Sequence, residues 1–141
     1  MLRLKLMPIL KTSVVMSVLA FFTLLLTACE TKVEFLKSAV VPAAQGYAKI
    51  KTDNNKNFKI YVSVKGLAES TRLTPSKSTY VVWIVGEDNN VQNIGQIQTS
   101  KMSGSLETVS PFKPTKLFIT AEDGSSVQFP GLTILTTATF K

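Results

Sequence analysis

Residues 58–65 read Phe-Lys-Ile-Tyr-Val-Ser-Val-Lys, a strict alternation of apolar and polar side chains. In an extended chain Phe58, Ile60, Val62 and Val64 fall on one face, and Lys59, Tyr61, Ser63 and Lys65 on the other. A helix would spread both sets around its circumference, so this segment is a strand with one buried and one wet face. "GYAKIKTD" before it alternates too, with Tyr47 set apart from Ala48 and Ile50 by parity, and "DNNKN" between them carries the residues of a hairpin turn. "TYVVWIVGED" is apolar on both faces, which marks a central strand. "NVQNIGQIQ", "SGSLETV", "TKLFITAED" and "TILTTATF" follow, punctuated by "EDNN" and "GSS". No stretch after residue 38 has a helical period. Seven or eight short strands, with turn signals every 8–12 residues or so, predict an all-β antiparallel sandwich of about 100 residues. Residues 39–141 are assigned to it, and residues 29–38, containing "ETKVEFLKS", to a tether that leads into the first strand.

The N-terminus has a different character. Arg3, Lys5 and Lys11 precede an apolar run from Val14 to Leu26, broken only by Ser17 and Thr23, and small residues Thr27 and Ala28 come next. These are the parts of an export signal. A retained membrane helix is the competing reading, but a run of about 13 residues falls short of the roughly 20 that span a bilayer. The only cysteine of the chain, Cys29, stands immediately after. Leu26-Thr27-Ala28-Cys29 resembles the lipobox of bacterial lipoproteins: an aliphatic residue, two small residues and the cysteine. The resemblance implies that residues 1–28 are a lipoprotein signal peptide. It also implies that the Cys29 sulfur receives a thioether-linked diacylglycerol and that Cys29 becomes the mature N-terminus. Two or three acyl chains hold a protein at a membrane where one gives only marginal binding. Glu30 stands where an aspartate favours inner-membrane retention in enteric lipoproteins. The expected location is therefore the cell envelope on its extracytoplasmic side, at the outer membrane if the cell is Gram-negative.

The residue inventory excludes much chemistry. The chain has no histidine, so the commonest proton carrier near neutral pH and the commonest metal ligand are missing. A Ser-His-Asp triad cannot be built, nor can a superoxide dismutase type of copper–zinc centre. One cysteine allows no internal disulfide, and acylation would block it as a nucleophile. Glu87-Asp88 and Glu122-Asp123 are carboxylate pairs that could serve acid–base work or bind calcium, but both abut turn residues, and solvated turn positions are expected. Trp83 and Tyr80 could stack a sugar or a peptide. Their odd spacing puts them on opposite faces of the strand, and a buried core tryptophan is expected instead. Of the 16 basic residues three lie before Cys29, which leaves 13 against 9 acidic ones, a formal net charge of +4. Lys49, Lys51, Lys56, Lys59 and Lys65 form the densest group and fit solvated strand faces, with weak attraction to anionic headgroups as a further use. With Arg72 the only arginine after Cys29, no nucleic-acid partner is expected.

Part of the chain is similar to the extracytoplasmic C-terminal domain of anti-sigma-K factors. The matching features are Tyr80 and Trp83 in one strand, the polar turn Glu87 to Asn90, the pair Ile94-Gly95, and Ile119-Thr120-Ala121-Glu122-Asp123-Gly124-Ser125-Ser126 leading to Pro130. With "VSVKGL" upstream the resemblance covers roughly residues 46 to 138. It implies an immunoglobulin-like sandwich outside the cytoplasm. Such factors also carry a cytoplasmic sigma-binding domain and a membrane helix ahead of the sandwich. Neither is expected here, so direct capture of a sigma factor is not.

No cofactor, metal or enzymatic activity is expected. The leading expectation is an envelope lipoprotein whose sandwich is an interaction module, with another envelope protein or a cell-wall component as partner. The alternative is a small-molecule-binding or sensory lipoprotein. A deep aromatic pocket would favour the alternative, and a filled core the former.

Overall fold

The computed structural model describes residues 29–141, so the expected leader 1–28, including Leu26, Thr27 and Ala28, lies outside the described residues. Nine strands follow in order: β1 (Glu30–Glu34), β2 (Gln45–Thr52), β3 (Phe58–Lys65), β4 (Thr79–Gly86), β5 (Val91–Gln96), β6 (Gln98–Ser100), β7 (Ser103–Ser110), β8 (Pro114–Glu122) and β9 (Leu132–Thr136). One 3-10 turn, Ser70–Arg72, precedes β4, and there is no α-helix among the described residues. The strands form two antiparallel sheets, ordered β1-β2-β3-β7-β6 and β5-β4-β8-β9. Taking β2, β3, β7 and β6 as strands A, B, E and D, and β4, β8 and β9 as C, F and G, this is the Greek-key order of an immunoglobulin-like sandwich with β5 added beside C.

Alternation builds the core. Ala48 and Ile50 from β2, with Ile60, Val62 and Val64 from β3, face Tyr80, Val82 and Ile84 from β4 and Leu117, Ile119 and Ala121 from β8. Ile60, Val62, Leu117 and Ile119 have no accessible surface. Burying each such side chain is worth about 1.5–3 kcal/mol. Side chains of both sheets fill the space between them. On the outside of the five-stranded sheet Lys49, Lys51, Lys59 and Lys65 line up with Tyr47 and Tyr61, as the parity requires.

Two expectations need correction. Residues 30–34 are not a tether: they form β1, paired with β2 from Glu30↔Lys51 to Glu34↔Tyr47. Val33 packs against the core, and the sandwich therefore begins at Glu30 rather than residue 39. The chain then leaves this sheet and crosses to the other. Phe35 bridges Thr137, the Leu36 N–H donates to the Thr136 carbonyl at 2.8 Å, and the Ser38 hydroxyl donates to the Ile134 carbonyl at 2.5 Å. With β1 and the three-residue edge strand β6, nine strands replace the seven or eight expected.

The second correction concerns Trp83. It is buried, at 1% exposure, but not between the sheets. Tyr80, Val82 and Ile84 take the inner face of β4, so Val81 and Trp83 take the outer one. Residues 123–131 fold back across this face. The Asn93 side chain on β5 donates to the carbonyls of Ser125 (2.9 Å) and Val127 (3.0 Å), pinning the loop down over β4. The covering layer is a loop, not a third sheet.

Candidate functional site

Cys29 is exposed and stands one residue before β1. Antiparallel pairing places it at the same end of the sandwich as the β2–β3, β4–β5 and β7–β8 turns and the C-terminus. A small cleft of about 130 Å³ beside it is lined by Phe58, Lys113, Pro114, Phe140 and Lys141 among others. Next to it the Glu30 carboxylate pairs with the Lys49 ammonium at 3.0 Å, and that hydrogen bond raises the Lys49 pKa. The β2–β3 turn is built on Asp53, whose Oδ1 accepts the N–H groups of Asn55 (2.8 Å) and Asn57 (2.9 Å). The backbone N–H of Asn57 is the main reason the Asp53 pKa is lowered. In the β7–β8 turn the buried Ser110 hydroxyl accepts the Phe112 N–H and donates to the Phe112 carbonyl, each at 3.1 Å. These bonds fix a turn whose phenyl ring points outward.

The carboxylate pairs divide. Glu87 and Asp88 are exposed turn residues, as expected: Glu87 pairs with Lys113 at 2.8 Å and Asp88 accepts the Asn90 N–H. Asp123 is exposed too and pairs with Lys77 at 3.0 Å. Glu122 departs from the expectation. It is the last residue of β8, it is buried at 6% exposure, and it belongs to a hydrogen-bonded chain under the 123–131 loop. The Trp83 indole N–H donates to Thr120 Oγ1 at 2.7 Å, the Thr120 hydroxyl donates to Glu122 Oε1 at 2.5 Å, and the Gly131 N–H donates to the same oxygen at 2.6 Å. Phe118 stacks on Trp83 with centroids 6.1 Å apart. Gly131 is required here, because a Cβ at that position would stand 2.8 Å from Glu122 Oε2. Trp83 Nε1, the Thr120 hydroxyl, Glu122 Oε1 and the Gly131 N–H are bonded in series, and the chain holds the loop over β4. The sequence showed Glu122 next to a turn, and only the tertiary position of Thr120 and Gly131 explains its burial.

No protein-family model, no curated protein and no solved structure matches the chain.

The opposite end carries the long β1–β2, β3–β4 and β8–β9 loops. Gly66 (φ +66°) packs against the β1–β2 loop, where a Cβ would meet the Ala43 carbonyl at 2.1 Å. A groove of about 660 Å³ opens beside β1 and β2, lined among others by Phe35, Tyr47, Ser63, Lys37, Lys65 and Glu34. Met102, 57% exposed, tips the β6–β7 turn at this end, and Phe129, 83% exposed, lies on the 123–131 loop. Tyr80 is inaccessible to ligand: its ring lies in the core, its hydroxyl donates to the Ala68 carbonyl at 2.6 Å, and burial pushes its pKa up to about 12. Neither Tyr80 nor Trp83 is therefore a stacking platform. Among the described residues no three histidine, cysteine, aspartate or glutamate side chains gather as a metal site would need, and no helix is long and apolar enough to cross a membrane.

Proposed function

We propose that this chain is a bacterial envelope lipoprotein, anchored through acyl groups on Cys29, whose sandwich is a non-enzymatic interaction module for another envelope protein or a cell-wall component. The observation that carries the reading is the position of Leu26-Thr27-Ala28-Cys29. It closes a basic and apolar leader and stands directly ahead of the first residue of the fold. An exposed thiol one residue before β1 suits attachment, because modification there disturbs no packed side chain. The resemblance of residues 46–138 to the anti-sigma-K extracytoplasmic domain supports the same compartment. Glu30 in place of aspartate favours the outer membrane if the cell has one. The interaction role is favoured by a core filled from both sheets and by polar groups committed to one another rather than to a reaction centre.

The test is Cys29→Ser. Wild type should partition into the detergent phase and carry the mass of its acyl groups, while the variant should stay uncleaved or leave the detergent phase without that mass. Equal partitioning and equal lipid mass would sink the lipoprotein reading.

A further inference from the structure

β1 begins one residue after Cys29, so there is no tether between the point of attachment and the sandwich. A membrane holding the chain at Cys29 thus lies roughly 3.5 Å of backbone from the ladder. The end of the sandwich that meets it has a particular composition. Phe112, 51% exposed, tips the β7–β8 turn, and the Ser110 hydroxyl occupies both its backbone groups, so the ring is what that turn presents. Val109, 53% exposed, lies beside it on the outer face, across the ladder from Lys59. Lys113 follows Phe112, and Lys113 and Lys141 share the cleft beside Cys29. The acidic groups at this end are all engaged: Glu87 with Lys113, Asp53 with the N–H groups of its own turn, Asp88 with Asn90, and Glu30 with Lys49. Apolar side chains flanked by lysines settle at the boundary between headgroups and acyl chains, and the ammonium groups favour anionic lipid.

We propose that the Cys29 end of the sandwich docks on an anionic lipid surface. Phe112 and Val109 enter the headgroup layer, and Lys59 and Lys141 lie among its phosphates. The proposal rests on the membrane-anchored reading above. It turns a module on a leash into one held upright. β8 has nine residues, so the far end of β8 and the exposed Met102 of the β6–β7 turn stand roughly 30 Å from the lipid.

The test uses the full chain purified from membranes and reconstituted into vesicles of phosphatidylethanolamine and phosphatidylglycerol, with and without brominated acyl chains. Wild type gives the baseline, since its only tryptophan, Trp83, is buried. The emission that Phe112→Trp adds to wild type should be quenched about twofold or more by bromination, as a ring at the acyl boundary is, and the emission that Met102→Trp adds should not be. Pro111→Trp reads the same turn if Phe112→Trp does not fold. No quenching at the turn in protein whose intact mass includes the acyl groups overturns the docking and leaves the anchor standing. Quenching in protein without acyl groups overturns lipid attachment at Cys29 and leaves the docking. Equal quenching at positions 112 and 102 overturns the upright pose, and failure to associate with vesicles at all overturns both readings.

Discussion

Thr120→Val tests what holds the outer face of the second sheet. Thr120 has no accessible surface, and its hydroxyl both accepts from the Trp83 indole and donates to Glu122. Valine has nearly the same shape, so no cavity opens and the loss is polar. The indole N–H is left buried without a partner, which costs about 1–3 kcal/mol, and the bond to Glu122 is worth about another 0.5–1.5 kcal/mol. Glu122 keeps the Gly131 N–H, so its side chain is not wholly orphaned. The expected loss is about 2–4 kcal/mol, a large share of the 5–15 kcal/mol that stabilises a typical domain. Urea unfolding of residues 29–141, followed by Trp83 emission and by circular dichroism, should show a lower midpoint with an unchanged slope. Thr120→Ser keeps the hydroxyl and removes one methyl, so it should lose only about 0.8 kcal/mol. If Thr120→Val lies within about 0.5 kcal/mol of wild type, or above Thr120→Ser, the hydrogen-bonded chain does not stabilise the domain as argued. A double-mutant cycle with Glu122→Gln should give a coupling above about 0.5 kcal/mol.

Replacing residues 30–34 with a Gly/Ser segment should cost about 2–4 kcal/mol, because it removes a hydrogen-bonded ladder and the packing of Val33. A free tether would give no change in the same urea assay. Tyr80 provides a pH signature. Its folded pKa lies above the ordinary value of 10, at about 12, so the neutral phenol is favoured in the fold. That contribution is fully present below pH 10 and is lost as pH rises from 10 through about 12. The stability difference between wild type and Tyr80→Phe should therefore shrink over this window, and a constant difference would place the phenol in solvent.

Much of the fold was readable because buried faces impose a period. Residues 58–65 alternate without a break, and Ile60, Val62 and Val64 do face the core. The odd spacing of Tyr80 and Trp83 correctly put them on opposite faces. β1 was not readable. An edge strand needs only one good apolar side chain on its inner face, and in "ETKVE" that is Val33 alone among charged neighbours. β6, "QTS", has none. The doubly apolar β4 announced that both its faces are covered, but a local pattern cannot name what covers them. The loop 123–131 carries no strand period, and its docking depends on Asn93, thirty-two residues before Ser125. At the β1 end of the sandwich Cys29 stood out by composition alone. Phe112 did not, because its exposure follows from the way Ser110 folds the turn.

The placement of β1 also decides how the molecule bears force. With the chain held at Cys29 as proposed, a drag on the far loops would pull β1 along its own length. Its bonds to β2 lie across that direction. They are loaded in shear and share the tension, instead of peeling apart one after another as they would if the chain were pulled from the top of the strand. The crossing from Phe35 to β9 spreads the same load into the second sheet. A short, polar edge strand would then be the mechanical clamp of the anchored molecule.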